Sequence, residues 1–218
     1  ISVPQHILYK LPEGISFENA AMVEALSIAF HAVERTAISL NDTAVVLGAG
    51  MIGLLVIQSL RMAGCGKIIA IDIDQGKLDL AIKHGANVSL NSKKDEVKTE
   101  ILNLTDGRGV DVAIEAVGIS ATVQLGIDCL KKGGIMTLVG NISPTIELPL
   151  QSVVTREITI NGSCASCGEY PACLEMIADG KIDVDSLISA KVPLSEGSIW
   201  FNKLYNKEPN LLKVVLIP

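Results

Sequence analysis

The sequence predicts an α/β fold built around a doubly wound parallel sheet with helices on both faces. From Thr43 to Gly162, short hydrophobic segments alternate with amphipathic ones of helical length, which is typical of strand–helix–strand units. Of the 218 residues, 49% are hydrophobic but only 3% are aromatic, which favours an aliphatic core of buried parallel strands. Three glycines, Gly48, Gly50 and Gly53, fall where the first strand gives way to a helix.

The segment up to Ser39 precedes this alternation. Leu11-Pro12-Glu13-Gly14 predicts a turn, and Ser16 is expected to cap a short helix, with Asn19 three residues later in place of the usual Glu or Gln. A second helix is predicted over residues 25–37, ending before the turn pair Asn41-Asp42.

The central region then predicts six strands joined by helices. The predicted strands span residues 43–47, 67–72, 87–90, 110–116, 135–139 and 157–162. The predicted helices span residues 51–63, 75–84, 95–104 and 120–130. Helical connections between sequential strands imply right-handed crossovers, so we expect all six strands to be parallel.

The tail breaks this rhythm, with helices predicted near residues 170–179 and 197–205 and a closing strand over 212–217. We therefore predict three parts. Residues 1–39 precede the alternating region, 40–166 form the α/β domain, and 167–218 follow it.

Charge and composition exclude several classes of protein. The net charge of −6 argues against a nucleic-acid partner or an anionic membrane surface. Residues 43–60 carry no charge, but three glycines interrupt them, so we interpret them as a buried strand and helix rather than a membrane span. The chain begins without a leader pattern, and its five dispersed cysteines are an odd number, which predicts a reducing, cytoplasmic setting.

The residues from Gly48 to Gly53 form a G-x-G-x-x-G run between a strand and a helix, the context that dinucleotide binding requires. Gly48 is expected to permit the tight turn, Gly50 to let a pyrophosphate approach the backbone, and Gly53 to let helix and strand pack closely. The amides at the helix start, including those of Met51 and Ile52, would face the diphosphate. The alternative is a tight turn without a ligand.

Asp72 ends the next strand, 24 positions after Gly48, near the spacing of a ribose-binding carboxylate. A carboxylate there accepts hydrogen bonds from ribose hydroxyls and repels a 2′-phosphate, so NAD is favoured over NADP. The alternative is that Asp72 caps the helix beginning near Gln75, a role that Asp74 could also fill. Glu115 also lies near the carboxyl end of a strand, but a ligand contact is the less favoured interpretation for it.

These features resemble the zinc-containing medium-chain dehydrogenases, in the branch of sorbitol, threonine and galactitol-phosphate dehydrogenases. The similar stretches follow the family's order along almost the whole chain. They are Leu11–Gly14, Val23–Ser27, Gly48–Gly53, Ile71-Asp72, Lys77-Leu78, Ile114–Gly118, Leu138–Gly140 and Asn210–Leu216. The resemblance implies that residues 40–166 are a Rossmann-type NAD-binding domain with remnants of the catalytic domain at both ends. By the same resemblance, residues 1–39 are the end of the catalytic domain with its connecting helices, and 167–218 return to the catalytic domain.

Site roles follow from the resemblance residue by residue. Lys77 resembles a basic residue near the adenosine, and Lys213 one near the pyrophosphate. Val117, Val139 and Gly140 resemble backbone segments that touch the nicotinamide. For both lysines the alternative is an ordinary solvated surface position.

Glu24, within Val-Glu-Ala-Leu-Ser, resembles a catalytic acidic residue that ligates the zinc directly or through water; otherwise it is a helix-surface glutamate. The family's main zinc ligands come from an N-terminal lobe with a cysteine and a Gly-His-Glu stretch, and neither occurs here. We therefore expect zinc in the intact enzyme only, and no turnover by this chain alone.

The resemblance implies hydride transfer from a secondary alcohol, polyol or sugar alcohol to NAD, in a homo-oligomer (dimer or tetramer) that pairs through the edge strand at 157–162. Two alternatives stay open: a zinc-free, NADPH-using quinone reductase of the same superfamily, and a nucleotide-sensing module without enzymatic activity. Asp72 and Glu24 both argue against the quinone reductase.

Overall fold

A computed structural model describes residues 2–209 and 211–218 of the chain. Ile1 lies outside the described residues, and so does Asn210, the first residue of the tail stretch quoted above. The chain divides into two units. The sheet unit comprises Ile28–Ala165. The terminal unit joins the segment up to Ser27 to the segment Ser166–Pro218. The two predicted domain boundaries, after residues 39 and 166, stay predictions.

The sheet unit is built on six strands in the order β3-β2-β1-β4-β5-β6, and every neighbouring pair is parallel. The strands are β1 (Thr43–Leu47), β2 (Lys67–Asp72), β3 (Val88–Asn91), β4 (Val110–Glu115), β5 (Leu130–Leu138) and β6 (Thr159–Gly162). The predicted fold class, an α/β doubly wound sheet with helices on both faces, is confirmed. The chain order reverses direction between β1 and β4, which is where such sheets bind ligands.

Helices connect the strands and cover the sheet. They are α1 (Phe17–Ala20), α2 (Val23–Glu34), α3 (Met51–Met62), α4 (Gln75–Lys83), α5 (Val97–Leu104), α6 (Ser120–Cys129), α7 (Leu150–Thr155), α8 (Tyr170–Ala178) and α9 (Gly197–Tyr205). The Ser16 side chain accepts a hydrogen bond from the Asn19 amide, so the predicted cap of α1 is confirmed.

The core is aliphatic, as the composition predicts. Val45, Leu47, Ile69 and Ile114 are fully buried in the central strands. The charge-free stretch over residues 43–60 is the buried strand β1 followed by α3, as expected. Within the described residues, none of the helices combines the length and the apolar character that a membrane span requires.

Several elements differ from the sequence prediction. α2 begins at Val23 and ends at Glu34, both earlier than predicted, and the Thr36 hydroxyl donates to the Ala32 carbonyl just beyond its end. β5 begins at Leu130 instead of Ile135, with a register irregularity that the Gly133-Gly134 pair accommodates. The short helix α7 and the strand β7 (Ile188–Pro193) were not predicted.

Asp111 joins the amino ends of β1 and β4, at the edge of the sheet opposite the glycine turn. Its carboxylate accepts hydrogen bonds from the Thr43 amide at 2.8 Å and from Lys131 Nζ at 2.5 Å. Burial raises the pKa of Asp111, but the bonds from Lys131 and Thr43 and the charges of Lys131 and Arg108 outweigh it and lower the pKa. The charged form of Asp111 therefore stabilises the fold.

The terminal unit contains a second, two-stranded parallel sheet made of β7 and β8 (Lys213–Ile217). Tyr9 and Tyr170 pack with ring centroids 5.3 Å apart and join its two segments. On α9, the side chains of Phe201 and Tyr205 are largely exposed.

Candidate functional site

The glycine turn has three glycines with three different environments. Gly48 has a φ of +94°, a conformation that favours glycine. A Cβ on Gly53 would lie 1.8 Å from the Gly48 carbonyl oxygen, so the helix meets the strand here in backbone contact. At Gly50 a Cβ would meet no atom within 4 Å. The turn is therefore tight at Gly48 and Gly53 but open at Gly50.

The open side of this turn coincides with the start of α3. Gly50 is the N-cap residue and provides no side-chain cap. The Leu54 amide is the first intrahelical donor and bonds to the Gly50 carbonyl, so the preceding amides of Met51, Ile52 and Gly53 have no acceptor within the helix. Such amides, together with the helix dipole, make an anion-binding site.

Asp72 lies against this turn. Its Oδ2 accepts a hydrogen bond from the Ala49 amide at 2.8 Å, and its Oδ1 accepts bonds from the amides of Ile73 and Asp74 at 2.8 and 3.0 Å. The carboxylate is half-buried. The cap of α4 is Asp74, which accepts from the Lys77 amide, so the capping alternative for Asp72 is wrong.

The segments after β4 and β5 meet in backbone contact beside the turn. A Cβ on Gly140 would lie 2.2 Å from the Gly118 nitrogen, and one on Gly48 would lie 2.6 Å from Val117 Cγ2. The amides of Val139 and Gly140 both donate to the Glu115 carbonyl, at 2.8 and 3.0 Å. These contacts bring Val117 next to Val139 and Gly140, which lie more than 20 positions later in the sequence.

A cavity of about 800 Å³ opens at the carboxyl ends of the central strands. Its wall includes Ile52, Val117, Val139 and Gly140 of the predicted residues. All of its lining residues belong to the sheet unit, and none is acidic. A cavity of this size, with apolar walls and few polar groups, is suited to a small-molecule ligand.

The remaining predicted residues lie outside this cavity wall. Lys77 is half-buried in the first turn of α4. Glu24 is exposed in the first turn of α2, and Lys213 begins β8; both belong to the terminal unit. Among the residues that the structure describes, Glu24 is part of no group of three potential metal ligands.

Comparison with known proteins identifies the family. The model of the family described as zinc-binding dehydrogenase matches residues 52–179, more than half of the chain. The chain belongs to the zinc-binding dehydrogenase family. The resemblance inferred from the sequence is thereby confirmed, and the match covers the sheet unit from the first turn of α3 onward.

Individual zinc-binding dehydrogenases match the chain over most of its length. It is 34% identical over 207 residues to D-xylulose reductase A of Aspergillus oryzae and 30% identical over 220 residues to sorbitol dehydrogenase of Bacillus subtilis. These alignments cover 93% and 100% of the chain but 58% and 62% of the relatives, so the chain spans about three fifths of their length.

A solved structure shows the same arrangement. The crystal structure of 2R,3R-butanediol dehydrogenase from Bacillus subtilis superimposes with a TM-score of 0.91 at 32% identity. The superposition covers 99% of this chain and 62% of the butanediol dehydrogenase chain.

Sequence reasoning missed two groups of residues in this zinc-binding dehydrogenase. One face of α2 contributes Ile28 and His31 to the cavity wall, and Arg35, directly after the helix, also lines it and donates from Nε to the Gly162 carbonyl at 2.7 Å. This contact joins positions 127 apart, and no local pattern indicates it. The other is Glu115, whose position at a strand end was noticed but whose burial was not foreseen.

Proposed function

We propose that this chain binds NAD at the carboxyl edge of its six-stranded sheet and is the NAD-binding portion of a polyol or secondary-alcohol dehydrogenase. The observation that carries the proposal is the opening at Gly50 beside Asp72. The open backbone suits a pyrophosphate, and the neighbouring anion suits an unphosphorylated ribose.

The phosphate half of this site is made of backbone. The amides of Met51, Ile52 and Gly53 would donate to the pyrophosphate, and the helix dipole of α3 favours its charge. Lys77 and Lys213 are proposed to add cations on the adenosine and pyrophosphate sides. The opening at Gly50 fits a group as large as a phosphate, which a side chain there would exclude.

Asp72 retains capacity for the ribose. An ionised carboxylate offers about four acceptor positions, and the three backbone amides leave part of that capacity for ribose hydroxyls. A 2′-phosphate at the same place would meet the charge of Asp72, whereas the Asp74 carboxylate is engaged in capping α4. This repulsion is our reason for proposing NAD rather than NADP.

The nicotinamide half is proposed to occupy the cavity beyond Ile52, against Val117, Val139 and Gly140. Bound there, NAD supplies the hydride acceptor, C4 of the nicotinamide. The chain's own contribution is to hold the ring and to exclude water with apolar walls. The cavity has no acidic lining residue that would repel the phosphates.

In the part of the chain that the structure describes, Glu24 belongs to no group of three potential ligands, so its surroundings do not by themselves fit a catalytic zinc ion. Such sites take three protein ligands plus an open position, and Glu24 supplies one carboxylate. We propose that Glu24 is a ligand or a water-mediated neighbour of zinc in the whole protein. We derive no step through the metal and expect the isolated chain to be inactive.

The substrate of the whole protein is proposed to be a polyol, sugar alcohol or other secondary alcohol. The printed names of the relatives, D-xylulose reductase and sorbitol dehydrogenase, support this class. We further propose a homo-oligomer that pairs through β6, because β6 is an edge strand of the sheet. A cytoplasmic location is proposed because the five cysteines, all within the described residues, form no disulfide bond.

Calorimetric titration of the chain with NAD and with NADP tests the proposal. We expect the wild-type chain to prefer NAD. Asp72→Asn should weaken NAD binding about tenfold, because hydrogen bonds to a charged group are roughly twice as strong as neutral ones. The same variant should bind NADP more tightly.

Asp74→Asn is the matched control. It removes the same charge two residues away and keeps the cap of α4, because Asn caps helices as well as Asp does. Its preference for NAD should change less than about threefold. Absence of NAD binding at millimolar ligand would refute the proposal, and a wild-type preference for NADPH would support the quinone reductase alternative.

A further inference from the structure

The Glu115 carboxylate is buried at the centre of the two segments proposed to face the nicotinamide. Its side chain is fully buried at the end of β4. Its Oε1 accepts hydrogen bonds from the Val117 amide at 2.9 Å, the Gly118 amide at 2.8 Å and the Thr122 hydroxyl at 2.6 Å. The Gly118 amide also reaches Oε2 at 3.0 Å. The carboxylate therefore fixes the segment after β4.

The same residue fixes the segment after β5 through its backbone. The Glu115 carbonyl accepts from the amides of Val139 and Gly140. Gly118 and Gly140 are in backbone contact, and the Ser143 amide donates to the Gly118 carbonyl at 2.9 Å. A displacement of Gly118 would therefore displace the segment after β5 as well.

The burial of this charge needs a reason beyond packing. A buried carboxylate is unfavourable unless it is hydrogen-bonded, and an apolar side chain of similar size would fill the same space without that penalty. The three donors come from a turn and from the first turn of α6, whose dipole favours an anion. Two of the three donors are the amides of Val117 and Gly118, and this segment borders the cavity at Val117.

We propose that Glu115 is a positioning residue for the nicotinamide half of the cofactor. Its carboxylate holds the Val117–Gly118 segment, and through Gly140 the segment after β5, in the arrangement that receives the nicotinamide ring. This inference rests on the proposed binding of NAD. Glu115 acts through the backbone and touches no ligand, and the hydrogen bonds of its carboxylate are made to Val117, Gly118 and Thr122 and not to the glycine turn or Asp72, where the pyrophosphate and adenosine are proposed to bind.

The test compares NAD with ADP-ribose, which has the same adenosine and pyrophosphate but lacks nicotinamide. In Glu115→Gln an amide NH₂ replaces one acceptor oxygen and the charge is lost, while the shape is kept. We expect the Kd for NAD to rise about tenfold and the Kd for ADP-ribose to change less than twofold, both measured by calorimetry on the 218-residue chain. A general loss of structure would raise the Kd of both ligands equally. That result would overturn the proposal, and so would an unchanged Kd for both ligands.

Two variants of Thr122 provide a second route if Glu115→Gln does not fold. Thr122→Val removes one donor to the carboxylate and should weaken NAD selectively by about threefold, whereas Thr122→Ser keeps the hydroxyl and should bind like the wild type. Equal behaviour of these two variants would overturn the proposal. If the wild-type chain binds neither ligand, the proposed function itself fails, and if it binds both equally tightly, only the positioning role fails.

Discussion

Gly50 and Gly53 lie three residues apart in one turn, yet the structure predicts opposite consequences for the same substitution. In Gly53→Ala the new methyl group would lie 1.8 Å from the Gly48 carbonyl oxygen, well inside any real contact, so helix and strand must separate. Inserting a methyl group into a packed site destabilises by about 1–3 kcal/mol, and the gain in helix propensity offsets at most about 1 kcal/mol. Because the obstacle is backbone, we expect a net loss of about 2 kcal/mol in the free energy of unfolding.

In Gly50→Ala the methyl group meets no atom within 4 Å, and the backbone φ of −72° is one that alanine adopts. Alanine is a poorer N-cap than glycine, so the free energy of unfolding should fall by less than about 1 kcal/mol. The methyl group would, however, occupy the opening proposed for the pyrophosphate. NAD binding should therefore weaken more than tenfold in a chain that remains folded.

Far-UV circular dichroism during thermal unfolding measures the stability of both variants. Fluorescence is unsuitable, because the single tryptophan, Trp200, belongs to the terminal unit and not to the sheet unit. For a chain of this size, 2 kcal/mol corresponds to a fall of about 4–8 °C in Tm for Gly53→Ala. If Gly53→Ala were as stable as the wild type, or if Gly50→Ala bound NAD normally, the assignment of these roles would be refuted.

Two further predictions concern other parts of the sheet unit. Asp111→Asn should lower the free energy of unfolding by about 1–3 kcal/mol at pH 7. Since the folded pKa of Asp111 is lowered, its contribution exists above the unfolded pKa of about 3.9 and is lost as the pH falls through the folded value. The difference in the free energy of unfolding between Asp111→Asn and wild type, measured in urea, should therefore shrink below about pH 4. The control Asp179→Asn breaks an exposed pair with Lys181 and should change stability by less than about 1 kcal/mol at any pH. A pH-independent loss of stability in Asp111→Asn would contradict the argument. Among the cysteines, burial raises the pKa of Cys129 to about 12 and that of Cys65 to about 11. In the native chain a thiol reagent should therefore modify the exposed Cys164 and Cys167 rapidly, and the three buried thiols only on unfolding. Because Cys164 lines the cavity, saturating NAD should slow its modification but not that of Cys167, and equal protection of both would contradict the position of the nicotinamide.

Local patterns were sufficient for most of the fold. The strand β1, the glycine turn and α3 follow from hydrophobic periodicity and from glycines at fixed spacing, both of which are properties of neighbouring residues. The short helix α7 was missed because its six residues follow Pro149 and show less than two turns of periodicity. The strand β7 alternates more buried and exposed residues, but it has only six residues and ends in a proline, and its pairing with β8 is a tertiary contact that the local pattern does not indicate.

The candidate site divides in the same way. The turn and Asp72 are local in the sequence and were predicted, and the structure joins them through the Ala49 amide. The cavity wall on α2 was missed because tertiary contacts decide which helix face meets the sheet. Arg35 reaches Gly162 across 127 positions, a contact for which the sequence contains no separate signal.

Asp72 and Glu115 show how burial separates two roles that the sequence presents alike. Each is the acidic last residue of a parallel strand, and each folds its carboxylate back onto amides of the glycine-rich segments at that edge. The Asp72 carboxylate is half-buried and has acceptor positions left beyond its three amide donors, so an additional hydrogen-bond donor can still approach it. Glu115 is fully buried, and its three donors come from the protein, so its charge can act on a ligand only by fixing the backbone that the ligand meets. A variant at Asp72 should therefore change which nucleotide is chosen, whereas one at Glu115 should change how much the nicotinamide contributes to binding.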